Sequence, residues 1–230
     1  MTTIINPYEV LTLFPIPLYK TNIEREFTKQ EQDEFDAIIS KDLMDDSRYR
    51  NWKGISTDKY LLNGTRKPLL AIRSFIVQHL KKFSTTILGI NENEASCNIT
   101  NSWLNVYEPN AFNPVHHHVN SIISGIFYIN CLELPDNKTD GICFHSQQCQ
   151  HLFQDIGLPI THPTEFSSEE HRISVVTGDL VLFPSSLKHS VNLNETTNQT
   201  RISLSFNTFT FGKLYQVGDD TTELILRQGK

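Results

Sequence analysis

The chain has 230 residues, 38% of them hydrophobic and 20% charged. A chain of this size removes roughly 70% of its unfolded surface from water on folding, so it can build a core without a disulfide framework or a structural metal. Its formal net charge is −6, from 20 Lys+Arg against 26 Asp+Glu, which excludes the basic balance that general binding to a phosphate backbone demands. No apolar run reaches the ~18 residues of a membrane span; the best candidate, residues 69–77, is interrupted by Arg73. The first basic residue is Lys20, so the N-terminus does not read as a secretory signal, and the expected location is the cytoplasm.

In chain order, residues 10–19 are an apolar stretch whose Pro15 and Pro17 point to an edge strand. Thr28-Lys-Gln-Glu31 has capping-box spacing, and Phe35, Ile38 and Ile39 supply the apolar stripe of the helix that follows. A second helix is expected from Pro68, which needs no amide proton at a first helical position, with Leu69, Ile72, Phe75, Ile76, Leu80 and Phe83 recurring at helical spacing up to Gly89.

From about Cys97 the apolar period changes to two. β-Branched and aromatic runs at 97–108, 122–130, 141–145, 173–176, 179–183, 189–193 and 201–211 predict antiparallel strands. A mainly β fold follows, a sandwich or jelly roll, with the two N-terminal helices packed on an outer face. The whole chain, 1–230, is read as one domain: 1–95 as a strand and helical support, 96–212 as the β core, and 133–172 as an irregular insertion suited to a lid. Its extra histidines, His145, His151, His162 and His171, are expected in solvent rather than on a metal. Cys97, Cys131, Cys143 and Cys149 include no Cys-x-x-Cys pair and read as reduced thiols.

His116, His117 and His118 are consecutive. In an extended segment side chains alternate, so His116 and His118 share a face and His117 points away. A His-x-His alone fits an exposed polar strand equally well. Downstream, Gly178-Asp-Leu-Val-Leu-Phe-Pro184 reads as a turn and a buried strand, after which His189 opens the next strand. Three imidazoles from two separate strands can form a facial triad that leaves about three positions open on an octahedral iron. Arg201 and Ser203 also share a strand face, a pairing suited to gripping a carboxylate, although Arg201 alone fits an ordinary half-exposed strand.

Together, Asn101-Ser-Trp-Leu-Asn105, His116-His-His118 through Tyr128, Gly178 through His189, and Arg201-Ile-Ser-Leu-Ser-Phe-Asn207 resemble, in order and spacing, the 2-oxoglutarate/Fe(II) oxygenases found in phages and marine bacteria. Leu13-Phe-Pro-Ile-Pro-Leu18 is similar to that family's N-terminus. The resemblance implies a double-stranded β-helix, cupin-like in architecture, with Fe(II) held by His116, His118 and His189. It implies 2-oxoglutarate as cosubstrate, its far carboxylate on Arg201 and Ser203, and O2 as oxidant. Asn105, Tyr107 and Tyr128 are expected on strands lining the same cavity, either as cosubstrate contacts or as polar groups satisfied inside the barrel. The family's usual His-x-Asp is His-x-His here, so no ligand carboxylate offsets the metal charge.

The implied reaction is hydroxylation of an unactivated C–H bond in a small molecule or peptide, within the host cell if the chain is phage-encoded. A homodimer is the default assembly. Two alternatives stand beside this reading. One is a cupin-type three-His dioxygenase that works without 2-oxoglutarate, which would want a Glu where Ser121, Ile122 and Ile123 stand. The other is a non-catalytic jelly-roll binding module.

Overall fold

The computed structural model describes residues 11–12, 14–43, 54–57, 60–62, 66–134, 140–146, 159–216 and 219–227. The capping box forms as the sequence predicts: the Glu31 amide donates to Thr28 Oγ1 at 3.2 Å, and the Thr28 amide donates to Glu31 Oε2 at 2.8 Å. It starts α1 (Lys29–Leu43), which buries Phe35 and Ile38. Pro68 lies in one 3-10 turn, Lys67–Leu69, that runs into α2 (Leu70–Lys82) and then a π turn, Phe83–Ile87. Gly89, at φ 71°, takes the left-handed conformation just past the helix end.

The N-terminal strand is not the apolar run itself. β1 (Tyr19–Asn22) begins where that run ends, and Leu11, Phe14 and Ile16 are exposed. Pro15 and Pro17 have no amide to donate to a neighbouring strand, so pairing starts beyond them. β1 is an edge strand, antiparallel to β8 (Asp179–Pro184).

The larger sheet runs β1, β8, β5 (Ile123–Asn130), β10 (Arg201–Gln216), β3 (Ala95–Tyr107) and β2 (Gly54–Ser56), with β11 (Asp219–Leu226) forming a hairpin on the far end of β10. The smaller sheet runs β4 (Asn113–His116), β9 (His189–Val191), β6 (Gly141–His145) and β7 (Glu170–Ser174). The short strands β2 and β4 and the terminal β11 carry no clear period of two, and the sequence reading does not include them.

Each face of the larger sheet has its own core. On one, Leu104, Phe127, Leu180, Leu204 and Phe206 pack against Ile72, Ile76, Leu80 and Phe83 of the helical layer. On the other, Ile126, Val181 and Phe183 meet Ile142 and Phe144 of the smaller sheet. The two antiparallel sheets thus face each other as a double-stranded β-helix, with both helices on the outside of the larger sheet. Among the described residues no helix is long and apolar enough to cross a membrane.

The stretch 133–172 is less irregular than expected. β6 lies inside it and β7 begins in it, and together they form half of the smaller sheet. Strand pairing claims these residues because Ile142 and Phe144 fill the space between the sheets. His162 and His171 are exposed, as predicted, whereas His145 is half-buried. His151 and Cys149 lie outside the described residues.

Candidate active site

His116 and His189 are direct cross-strand partners in the β4–β9 ladder. His118, two residues beyond the end of β4, is positioned by its amide, which donates to the Ser185 carbonyl at 3.0 Å. The predicted alternation holds: His116 and His118 are half-buried while Val115, His117 and Val119 are exposed. Ring centroids lie 4.2 Å apart for His116 and His189, 5.1 Å for His118 and His189, and 5.3 Å for His116 and His118. One ring nitrogen from each of the three lies within 4.8 Å of the others.

The donor set suits a divalent metal. His116 Nδ1 lies 2.8 Å from the Pro114 carbonyl and His189 Nδ1 lies 3.0 Å from the Leu187 carbonyl. A carbonyl only accepts, so both Nδ1 atoms carry the proton and both Nε2 lone pairs are left for an ion, the tautomer fixing that outer partners give metal-bound histidine. Burial pushes the pKa of all three rings down, to about 4 for His118 and about 3 for His189, with the neighbouring imidazoles adding to the effect. Neutral imidazole is the ligating form. Phe183 packs edge-on against His189 at 4.8 Å and Phe144 lies 6.1 Å away, so the back of this ring is dry.

A cleft of about 530 Å³, counting its open mouth, joins the three histidines to Arg201 and Ser203. The register of β10 between its neighbours builds the wall: Arg201 stands opposite Tyr107, Ser203 between Asn105 and Tyr128, and Ser205 between Trp103 and Ile126. Every second residue of three adjacent strands therefore points into one space. All five residues expected at the cosubstrate end, Arg201, Ser203, Asn105, Tyr107 and Tyr128, line it. Trp103, Asn113 and Ser205 line it too; the sequence offered only the place of Trp103 and Ser205 on alternating strands as a signal, and none for Asn113.

Two of these residues are more committed than their sequence positions suggested. The Asn105 amide is engaged at both ends, accepting from Trp103 Nε1 at 3.0 Å and donating to Ser205 Oγ at 2.8 Å, so it fixes the wall. Arg201 is 2% exposed, against the ordinary half-exposed arginine, but it is not a free cation. Its Nε donates to both carboxylate oxygens of Asp140, at 2.9 and 2.8 Å, and its Nη2 donates to Asp140 Oδ1. Asp140 is held in turn by the amides of Leu132 and Gly141. Nη1 reaches the Asn192 carbonyl at 3.4 Å. Of the five guanidinium N–H groups, one on Nη1 and one on Nη2 have no partner among the described residues and can meet a ligand carboxylate. Asp140 was missed because an acidic residue before a glycine in a loop-like stretch has no distinguishing pattern.

Residues 101–207, the span holding all four motifs, match the model of a family described as "Putative 2OG-Fe(II) oxygenase". No curated protein matches the chain. The fold is similar to that of a non-heme α-ketoglutarate-dependent epimerase, SnoN, from nogalamycin biosynthesis (TM-score 0.54, 13% identity, 90% of this chain and 84% of that one). It is also similar to the carbocyclase SnoK of the same pathway (0.51, 11%, 84% and 79%), and to AviO1 from Streptomyces viridochromogenes (0.51, 13%, 84% and 89%). The family match runs against both the cupin-type reading without 2-oxoglutarate and the non-catalytic jelly roll.

Proposed function

We propose, from the match of residues 101–207 to the model of 2OG-Fe(II) oxygenases, that the chain is an oxygenase of this kind, that His116, His118 and His189 hold the iron, and that Arg201 and Ser203 hold the far carboxylate of 2-oxoglutarate. The observation that carries this assignment is the two-ended cleft: three imidazoles, two with Nδ1 tied to backbone carbonyls, stand at one end, and a buried guanidinium with two N–H groups to spare stands at the other. Iron with 2-oxoglutarate and O2 supplies the oxidant, and hydroxylation of an unactivated C–H bond is the outcome we assign.

The chain's own residues bind, orient and keep water out. Phe183 and Phe144 exclude water behind His189. Asn105, tied to Trp103 and Ser205, keeps the middle of the wall rigid. The Trp103 indole lies stacked with His118 at 6.0 Å and offers a flat face beside the metal end. That face and the acidic net charge suit a small molecule or a peptide side chain better than long nucleic acid.

Anaerobic titration of the metal-free protein with Fe(II) and 2-oxoglutarate tests the reading. A visible metal-to-ligand charge-transfer band is expected, followed by succinate release on admitting air, and both are lost in His189→Ala. No band in the native protein, or an undiminished one in the variant, overturns the ligand assignment.

A further inference from the structure

On the smaller sheet a second set of ligating side chains lies outside the cleft. Phe144 points between the sheets and touches Phe183 and His189, so its neighbours Cys143 and His145 point to the opposite face. In the ladder with β7, Glu170 stands directly opposite His145, and on the other side Ser190 of β9 stands opposite Cys143. Sulfur, nitrogen and carboxylate oxygen come together within 4.8 Å of one another.

The separations are informative. His145 Nδ1 lies 3.4 Å from Glu170 Oε1, long against the about 2.7–2.9 Å of a charge-assisted hydrogen bond. Cys143 Sγ lies 3.5 Å from Glu170 Oε2. Around a tetrahedral zinc with bonds of about 2.0 Å to nitrogen and oxygen and about 2.3 Å to sulfur, the N···O edge is about 3.3 Å and the S···O edge about 3.5 Å. Each contact has the length of such an edge but runs to a different oxygen, so a rotation of the exposed Glu170 carboxylate that brings one oxygen to both partners completes the set.

His145 is also oriented as a ligand would be. Its Nε2 lies 2.8 Å from Ser190 Oγ, which directs Nδ1 toward Glu170. The strand is pinned beneath it by the His145 amide donating to the Lys188 carbonyl and the Ser146 amide donating to the Glu169 carbonyl. Arg172, the register partner of Cys143, brings one positive charge. It cancels the Glu170 carboxylate while Cys143 is a neutral thiol, and the thiolate formed when an ion enters brings the ligand set to net −1.

We propose that Cys143, His145 and Glu170 bind a divalent ion of the zinc class on the outer face of the smaller sheet, with water as fourth ligand, separate from the three-histidine centre. The ion ties β6 to β7 and so fastens both ends of the segment that joins them. Without metal, burial and the Glu170 carboxylate push the Cys143 thiol up to about 11; binding therefore expels a proton from sulfur and strengthens as pH rises.

Co(II) titration of the metal-free full-length protein under anaerobic conditions separates the two sites. The three-histidine centre holds no sulfur, so a thiolate-to-cobalt charge-transfer band in the near ultraviolet reports only the proposed site. The native protein is expected to take up two equivalents and show the band. His189→Ala keeps the band, whereas Cys143→Ser loses it and retains one equivalent. Glu170→Gln, at a side chain 63% exposed and so harmless to folding, weakens the band-forming event more than about tenfold. Absence of the band in the native protein, its persistence in Cys143→Ser, or unchanged affinity in Glu170→Gln each overturns the proposal. None of these results bears on the iron assignment.

Discussion

Asp140→Asn probes the feature that most distinguishes this cleft, a carboxylate already seated on the arginine expected to hold the cosubstrate. Asp140 and Arg201 are 1% and 2% exposed, and their contacts leave both Asp140 oxygens filled. Removing one partner of such a pair leaves the other charge buried and uncompensated, at a cost of about 3–5 kcal/mol. For a domain of this size each kcal/mol moves the melting point by roughly 2–4 °C, so the variant should melt roughly 6–20 °C below the native protein. The assay is urea unfolding of the metal-free proteins, with thermal scans alongside.

The same physics predicts that the double variant Asp140→Leu/Arg201→Met loses much less than the sum of its single changes, because two apolar groups remove both the charge and its need for a partner. A loss below about 1 kcal/mol for Asp140→Asn would show that water or another group solvates Arg201 and that the pair does not hold the guanidinium in place. Additive losses in the double variant would refute the coupling directly.

Gly125 lies against Phe206, a fully buried ring whose Cζ occupies the space a Cβ would need; Gly125→Ala should destabilise by about 1–3 kcal/mol, read by urea unfolding, and a neutral result would mean the ring moves freely. Thr28→Ala removes the acceptor for the Glu31 amide and should cost about 0.5–2 kcal/mol, while Thr28→Ser should restore nearly all of it. The depressed histidines make the metal-free protein acid-sensitive: unfolded imidazoles take up protons from about pH 6.5, while His118 and His189 stay neutral in the fold down to about 4 and about 3. Across that window the unfolded state binds more protons, so stability falls as pH drops from about 6.5 toward 5, before most carboxylates titrate. A flat stability curve over that range, or the same slope in a His118→Asn/His189→Asn variant, would contradict it.

Much of this molecule is written locally in the chain. The Thr28–Glu31 capping box, the Pro68 start of the second helical segment, the alternation that splits His117 from His116 and His118, and the long strands β3, β5, β8 and β10 all follow from periods and caps that span a few residues. Of the site, only the shared face of His116 and His118 is local; His189 and Arg201 joined them through the ordered motifs that resemble the 2-oxoglutarate/Fe(II) oxygenases, not through any period. What the sequence could not carry is register and partnership across the sheets. That His116 faces His189, that Arg201 stands beside Tyr107 with Asp140 locked onto it, and that Cys143 and His145 share an outer face with Glu170 depend on which strands lie side by side. Two cores, one under the helices and one between the sheets, fix that choice, and a slip of one residue would turn each of these side chains to the wrong face.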